Sequence, residues 1–392
     1  MINISKLYCG SASGSDPLRY GHGHSQPRGM ARVKRPIVVW NITKRCNLKC
    51  VHCYTDSTEC LAEGELSTQE CRTVLDDLAK FEVPAVLFSG GEPTTRKDLF
   101  DLAGYATDKG LRLTLSTNGT LISESIAATI KKIGFTYVGI SLDGIGETND
   151  RFRGVEGAFK RAVAGIRHCK AVEQRVGLRM TLTDHNIDQL EGIFDFVEAE
   201  GIDRICFYHL VYSGRGGRIR DNDLTLKRTR HAVEYICDRT KQILQSGRNV
   251  EVLTVDNHVD GPFVLEKLRR EGSPRVKAVE DLLLRNGGAV SSSGVGIGNI
   301  DFVGNVHPDQ FWMHYTLGNV RHRPFSEIWQ DESEPLLAGL RNRGKKVHGR
   351  CRGCRFWDMC GGALRVRADL ALGDPWAPDP ACYLTDEEIK PR

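Results

Sequence analysis

Apolar residues gather in short runs separated by longer amphipathic stretches, and this alternation repeats along the first half of the chain. Ile37-Val38-Val39-Trp40-Asn41-Ile42 follows Pro36 and reads as a buried strand, and Leu66–Phe81 has the spacing and composition of a helix. Val83–Phe88, Leu111–Ser116, Tyr137–Leu142, Val176–Leu182 and Arg204–Leu210 read as further strands. Helices are predicted over Leu99–Lys109, Ser123–Ile133, Ala158–Ala171 and Ile187–Glu200. Strands alternating with helices in this way call for right-handed crossovers and a parallel sheet covered by helices, an α/β fold. The repeat fits either a curved partial barrel or a doubly wound sheet. Polar residues, glycine turns and cysteines follow the strand ends, where such folds place their sites.

The cadence changes after Tyr212–Arg218. A helix is predicted over Leu224–Gln245, a strand over Val250–Val255, a charged helical section around Phe263–Asn286, and a helix over Phe325–Leu340. Residues 1–35, rich in Gly, Ser, Pro and basic residues and including Gly21-His22-Gly23-His24, read as a flexible leader. The expected division is then a catalytic unit over 36–223, a connecting and substrate-cavity region over 224–340, and a tail over 341–392, with the domain change near Val211–Leu224.

Composition narrows the class. Apolar residues make up 40% and charged residues 27% of the 392, as in a soluble globular protein, and the formal charge of +4 does not demand a nucleic-acid partner. No segment reads as a secretory signal or approaches the roughly eighteen apolar residues of a membrane span. The expected compartment is the cytoplasm, where thirteen cysteines are better read as thiolates or metal ligands than as a disulfide framework.

The decisive feature is Cys46-Asn47-Leu48-Lys49-Cys50-Val51-His52-Cys53, three thiols on the loop leaving the first predicted strand. Soft thiolates suit iron–sulfur clusters or zinc, and His52 could complete a zinc set. Directly after the next strand comes Gly90-Gly91-Glu92-Pro93, where glycines permit close backbone approach and Glu92 could accept a hydrogen bond from an ammonium group. In the tail, Cys351, Cys354, Cys360 and Cys382 could ligate tetrahedral zinc or a four-iron cluster.

On these residues the chain resembles the radical SAM superfamily. The resemblance implies a partial (β/α)6 TIM-like barrel and a four-iron, four-sulfur cluster on Cys46, Cys50 and Cys53. The open iron would bind S-adenosylmethionine (SAM), and reductive cleavage would release a 5′-deoxyadenosyl radical; no catalytic residue is expected beyond that cluster. Gly90, Gly91 and Glu92 would hold the methionine end of SAM. Asn118 and Ser141, in Ser116-Thr117-Asn118-Gly119 and Ser141-Leu142-Asp143-Gly144, would contact SAM, with Arg151 and Arg179 as carboxylate contacts.

The tail is similar to the auxiliary-cluster SPASM and twitch domains through Cys351, Cys354, Cys360, Gly361-Gly362, Arg365, Arg367 and Asp379-Pro380-Ala381-Cys382. The stretch Val306-His307-Pro308-Asp309-Gln310 lacks a cysteine where a full SPASM domain would have one, so the resemblance implies one auxiliary four-iron cluster.

Within the superfamily, Val39–Cys50, Phe207–Gly216 and Val306–Trp312 resemble the NirJ group of heme d1 biosynthesis. That implies action on propionate side chains of 12,18-didecarboxysiroheme, an acidic iron tetrapyrrole. His209, Arg215, Arg218, Arg220 and His307 become substrate candidates, and the Gly214–Gly217 loop a closing element. An external one-electron donor such as flavodoxin or ferredoxin is expected. The alternatives are a relative altering other side chains of a heme-pathway tetrapyrrole, a peptide-modifying SPASM-type maturase, or a noncatalytic metal-binding scaffold.

Overall fold

The computed structural model describes residues 1–12, Asp16 and residues 35–391; the Gly21–His24 histidine motif lies outside the described residues. Its framework is one eleven-stranded sheet. The strands are β1 (Ile2–Asn3), β2 (Ile37–Asn41), β3 (Val86–Ser89), β4 (Leu113–Thr117), β5 (Val138–Ser141), β6 (Val176–Leu182), β7 (Arg204–His209), β8 (Glu251–Val255), β9 (Ile297–Ile300), β10 (Asn305–His307) and β11 (Gly318–Asn319). Their spatial order is β1-β8-β7-β6-β5-β4-β3-β2-β9-β10-β11. From β9 through β2 to β8 every pairing is parallel, whereas β1, β10 and β11 pair antiparallel. The sheet ends at β1 and β11 without closing on itself, so it is a partial barrel.

Local chemistry sets the helical layer. A capping box between Ser67 and Glu70 starts the helix Thr68–Lys80, whose Cys71, Val74, Leu75 and Leu78 are buried on one face. Burying a large aliphatic side chain of this kind stabilises the fold by about 1.5–3 kcal/mol. Ser123 caps the helix Glu124–Ile133, and Gly134, with φ +89°, ends it.

Four features depart from the sequence reading. Residues at the start of the expected leader belong to the fold: β1 pairs with β8, the helix Ile4–Leu7 is buried against it, and Ser5 Oγ bridges Val250 O and Val252 N. The run is too short for either hydrophobic period to show. The boundary near Val211–Leu224 is no break in the sheet, because the helix Leu226–Gln245 leads to β8, the next parallel strand. The predicted helix Phe325–Leu340 is two helices, Phe325–Gln330 and Pro335–Arg341, since Pro335 can open a helix but not continue one. A helix at Glu147–Arg153, short and charged, was not foreseen.

The tail packs onto the C-terminal end of the sheet through a second apolar core of Val211, Phe311, Trp312, Leu336, Leu340, Leu364 and Val366. Arg367, fully buried, spans this contact: Nε donates to Leu210 O after β7, Nη2 to Asp256 O after β8, and Nη1 pairs with Asp379 of the tail.

Candidate active site

Cys46, Cys50 and Cys53 lie on the loop leaving β2, and neighbouring elements fix that loop. Cys46 N donates to Thr58 O (2.7 Å), Lys49 N to Arg153 O and Val51 N to Phe152 O (3.0 Å each). Donors also face the sulfurs: Leu48 N is 3.4 Å from Cys46 Sγ, Arg153 Nη1 3.6 Å from Cys50 Sγ, and Ser57 N 3.5 Å from Cys53 Sγ. Burial pushes the Cys46 thiol up to about 12 and raises Cys50 as well. Such thiols ionise when a metal supplies the compensating charge, and hydrogen bonds to sulfur tune a cluster once bound. Three free thiols with donors turned toward them therefore fit an iron–sulfur group.

The two glycines after β3 let a second loop close on the first. A Cβ on Gly90 would lie 2.5 Å from Thr43 O, and one on Gly91 2.2 Å from Arg45 O. Instead Gly91 N donates to Thr43 O and Glu92 N to Arg45 O, both at 2.7 Å. Glu92 is fully buried and its carboxylate is engaged inside the protein: Oε1 accepts from Thr94 N, Thr94 Oγ1 and Thr117 Oγ1, and Oε2 from Asn118 N. It thus ties the loops after β3 and β4 together. Asn118 is similarly engaged, donating to Asn47 on the cysteine loop and accepting from Thr120.

Beside the cysteine loop, at the C-terminal ends of the parallel strands, opens a cavity of about 770 Å³ including its mouth. Ser89, Ser116, Ser141, Arg153 and Arg179 line it together with Tyr208, Asp256 and Phe311. Ser141 and Arg179, expected to contact SAM, are thus among the residues that line the cavity. Arg179 Nη1 meets Ser116 Oγ, and no carboxylate pairs with Arg179 among the described residues. Arg151 is elsewhere, exposed and paired with Glu147. The buried arginine is Arg153, two positions on, which pairs with the fully buried Asp143 as it reaches Cys50. No helix had been assigned there, so the face that each arginine occupies was not readable. His52 also lines the cavity; its ring packs on Phe152 at 4.7 Å, and burial lowers its pKa to about 4.

Of the substrate candidates, the cavity wall takes His209 alone. Its Nε2 meets Asp260 at 2.9 Å, and Asp260 also accepts from Tyr383, the residue after Cys382. Arg215 instead braces the cysteine loop, donating to Cys50 O, Asp56 and Ser57 O, and Arg218 pairs with Asp56. Gly214 sits so close that a Cβ would be 2.5 Å from Cys53 O, so the loop expected to close over substrate is a buttress of the cluster loop. Arg220 lines a second cavity, which His209 also lines. His307 is buried with Nδ1 against Tyr315 O and Nε2 against Asp301, and it does not line the cavity.

In the tail, Cys351, Cys354, Cys360 and Cys382 are free thiols, and Cys360 feels the charges of the other three. Burial raises the pKa of all four thiols, and the nearby backbone N–H groups of Asp379, Phe356, Ala363 and Leu384 oppose that rise at Cys351, Cys354, Cys360 and Cys382 respectively. This four-thiol shell fits a fully ligated cluster. Asp309, standing where a further cysteine was sought, is buried and accepts from Ser293 Oγ and Phe311 N. Among the described residues, no three or more His, Cys, Asp or Glu side chains are spaced to hold a single metal ion.

The fold and the cysteine loop define a SAM-dependent iron–sulfur enzyme. Residues 40–197 match the Radical SAM superfamily, and residues 297–355 match SPASM, an iron-sulfur cluster-binding domain. The chain is 52% identical over 396 residues to an Fe-coproporphyrin III synthase of Methanosarcina barkeri, covering 99% of each. It is 45% identical to a pre-heme d1 synthase of Dinoroseobacter shibae, over 93% of this chain and 90% of that one. Streptococcus suis SuiB bound to precursor peptide SuiA shares the fold, with a TM-score of 0.71 at 20% identity, over 90% of this chain and 76% of SuiB. The chain belongs to the radical SAM superfamily, in the group with a SPASM-type auxiliary domain. Both matched domains imply iron–sulfur clusters, one binding SAM and one auxiliary.

Proposed function

We propose that this enzyme alters side chains of an iron-containing heme-pathway tetrapyrrole and that its product is Fe-coproporphyrin III. The 52% identity spanning 99% of both chains carries this reading. It favours the sequence alternative, other side chains of a heme-pathway tetrapyrrole, over heme d1 formation. Coproporphyrin III keeps its propionates, so an enzyme that makes it must act on other substituents of a modified siroheme. The pre-heme d1 synthase at 45% identity supports the propionate chemistry as a second reading. SuiB is similar in fold alone and lends no weight to a peptide substrate.

In this proposal Cys46, Cys50 and Cys53 hold one four-iron cluster and Cys351, Cys354, Cys360 and Cys382 a second. With SAM and an external reductant such as flavodoxin or ferredoxin, the first supplies a 5′-deoxyadenosyl radical. The chain's own residues orient the reactants. Arg179 offers its guanidinium to a carboxylate, with Ser116 and Ser141 beside it. Tyr54 and Phe311, packed edge to face at 5.4 Å, supply an aromatic surface next to the cysteine loop, with Leu210 and Val211 on the same cavity wall. Among the described residues no helix is long and apolar enough to cross a membrane. Anaerobic turnover with 12,18-didecarboxysiroheme, followed by mass spectrometry, tests the proposal: Fe-coproporphyrin III is expected, and a product lacking propionates would favour the second reading.

A further inference from the structure

The cavity contains one carboxyl group that no role above employs. Asp256 directly follows β8, and its φ of +66° is in the left-handed region that residues other than glycine, asparagine and aspartate rarely enter. Its carbonyl oxygen accepts from Arg367 Nη2 at 2.8 Å, and the same guanidinium holds Leu210 O and Asp379, so the tail fixes this backbone. The side chain lines the cavity with Tyr208, His209 and Gln310. Its Oδ2 is shielded from solvent and has no hydrogen-bond partner. A clamped residue presenting an unpartnered buried oxygen to a cavity is the kind of arrangement that persists for function.

We propose that Asp256 is a specificity-determining residue that donates its carboxyl proton to a side-chain carboxylate of the bound tetrapyrrole. The proposal rests on the tetrapyrrole reading above. An O–H donated to a carboxylate is a strong, short hydrogen bond, and it forms only while Asp256 is protonated; ionised, the same group repels the ligand. The groups facing Asp256 allow the protonated form. Burial pushes its pKa up to about 6 against the lowering effects of the Met1 amino group, Arg367 and His209, while Asp309 adds to the rise. Tyr54 and Tyr208, both held above their ordinary value by burial, line the same cavity with His52, Arg153 and Arg179. Ligand carboxylates stay ionised above about pH 5. Affinity for the acid should therefore be highest near or below pH 6 and fall as pH rises through the Asp256 pKa.

The test titrates Fe-coproporphyrin III, or its tetramethyl ester, into anaerobically isolated full-length holoenzyme, following porphyrin absorbance between about pH 5.5 and 8. Asp256→Asn and Asp256→Gly both tolerate a positive φ, so the backbone is kept. For the wild type, affinity for the acid should fall by up to about tenfold per pH unit above pH 6, while the ester should show no such slope. Asp256→Asn should bind the acid through its amide N–H with no slope, and Asp256→Gly should bind about tenfold more weakly at pH 6. Retention of the wild-type slope in Asp256→Asn overturns the proposal, as does a slope that only His209→Gln removes. Failure of wild-type protein to bind either porphyrin overturns the tetrapyrrole reading itself, and this inference with it.

Discussion

Arg151 and Arg153 stand two positions apart on one short helix and occupy opposite environments. Arg151 is exposed, so Arg151→Ala should change stability by less than about 0.5 kcal/mol and leave SAM cleavage intact. Arg153→Met should leave the buried Asp143 without its cation, costing about 3–5 kcal/mol in anaerobic denaturant unfolding, and should abolish cleavage through Cys50. The sequence did reveal the cysteines, because thiol spacing is a covalent property that survives any error in secondary structure. It did not reveal how polar side chains divide between site and scaffold. Glu92, Asn118, Arg215 and His307 have the right chemistry to bind ligands but are engaged by protein partners up to 165 residues away. Asp256 gave no signal, since a lone aspartate after a strand is also an ordinary turn residue.

At the scale of elements, the cysteine loop is held by two others, the Gly90-Gly91-Glu92 turn and the Gly214–Arg215 segment. Gly91→Ala would set a methyl against Arg45 O, where no side-chain movement can relieve it. We expect that variant to lose iron from the first site while the tail retains its own, read by iron and sulfide analysis beside wild type. Arg215→Ala should weaken the first cluster and SAM cleavage and leave tetrapyrrole affinity within about twofold, because the guanidinium's bonds go to the cysteine loop and not to the cavity. A selective loss of tetrapyrrole binding would return Arg215 to the substrate pocket. The alternating strands and helices were readable here because each carries its own hydrophobic period. The function of the loops between them was not, since it depends on which loop packs against which.

At the scale of the whole molecule, catalytic sheet and tail share a core and an arginine. Arg367→Met should destabilise the fold by about 3–5 kcal/mol by leaving Asp379 buried and unpaired, and should loosen both Asp256 and the Cys382 loop. The sequence placed a domain change before β8; the structure continues the sheet through β8, because strand pairing across long separations leaves no local mark. The central claim is that a radical made at the β2 cysteine loop takes hydrogen from a tetrapyrrole side chain lying in the adjoining cavity. Single turnover of the reduced holoenzyme with SAM and side-chain-deuterated 12,18-didecarboxysiroheme tests it most directly. The account predicts deuterium in the 5′-deoxyadenosine together with formation of Fe-coproporphyrin III; unlabelled 5′-deoxyadenosine accompanying the same product would contradict it.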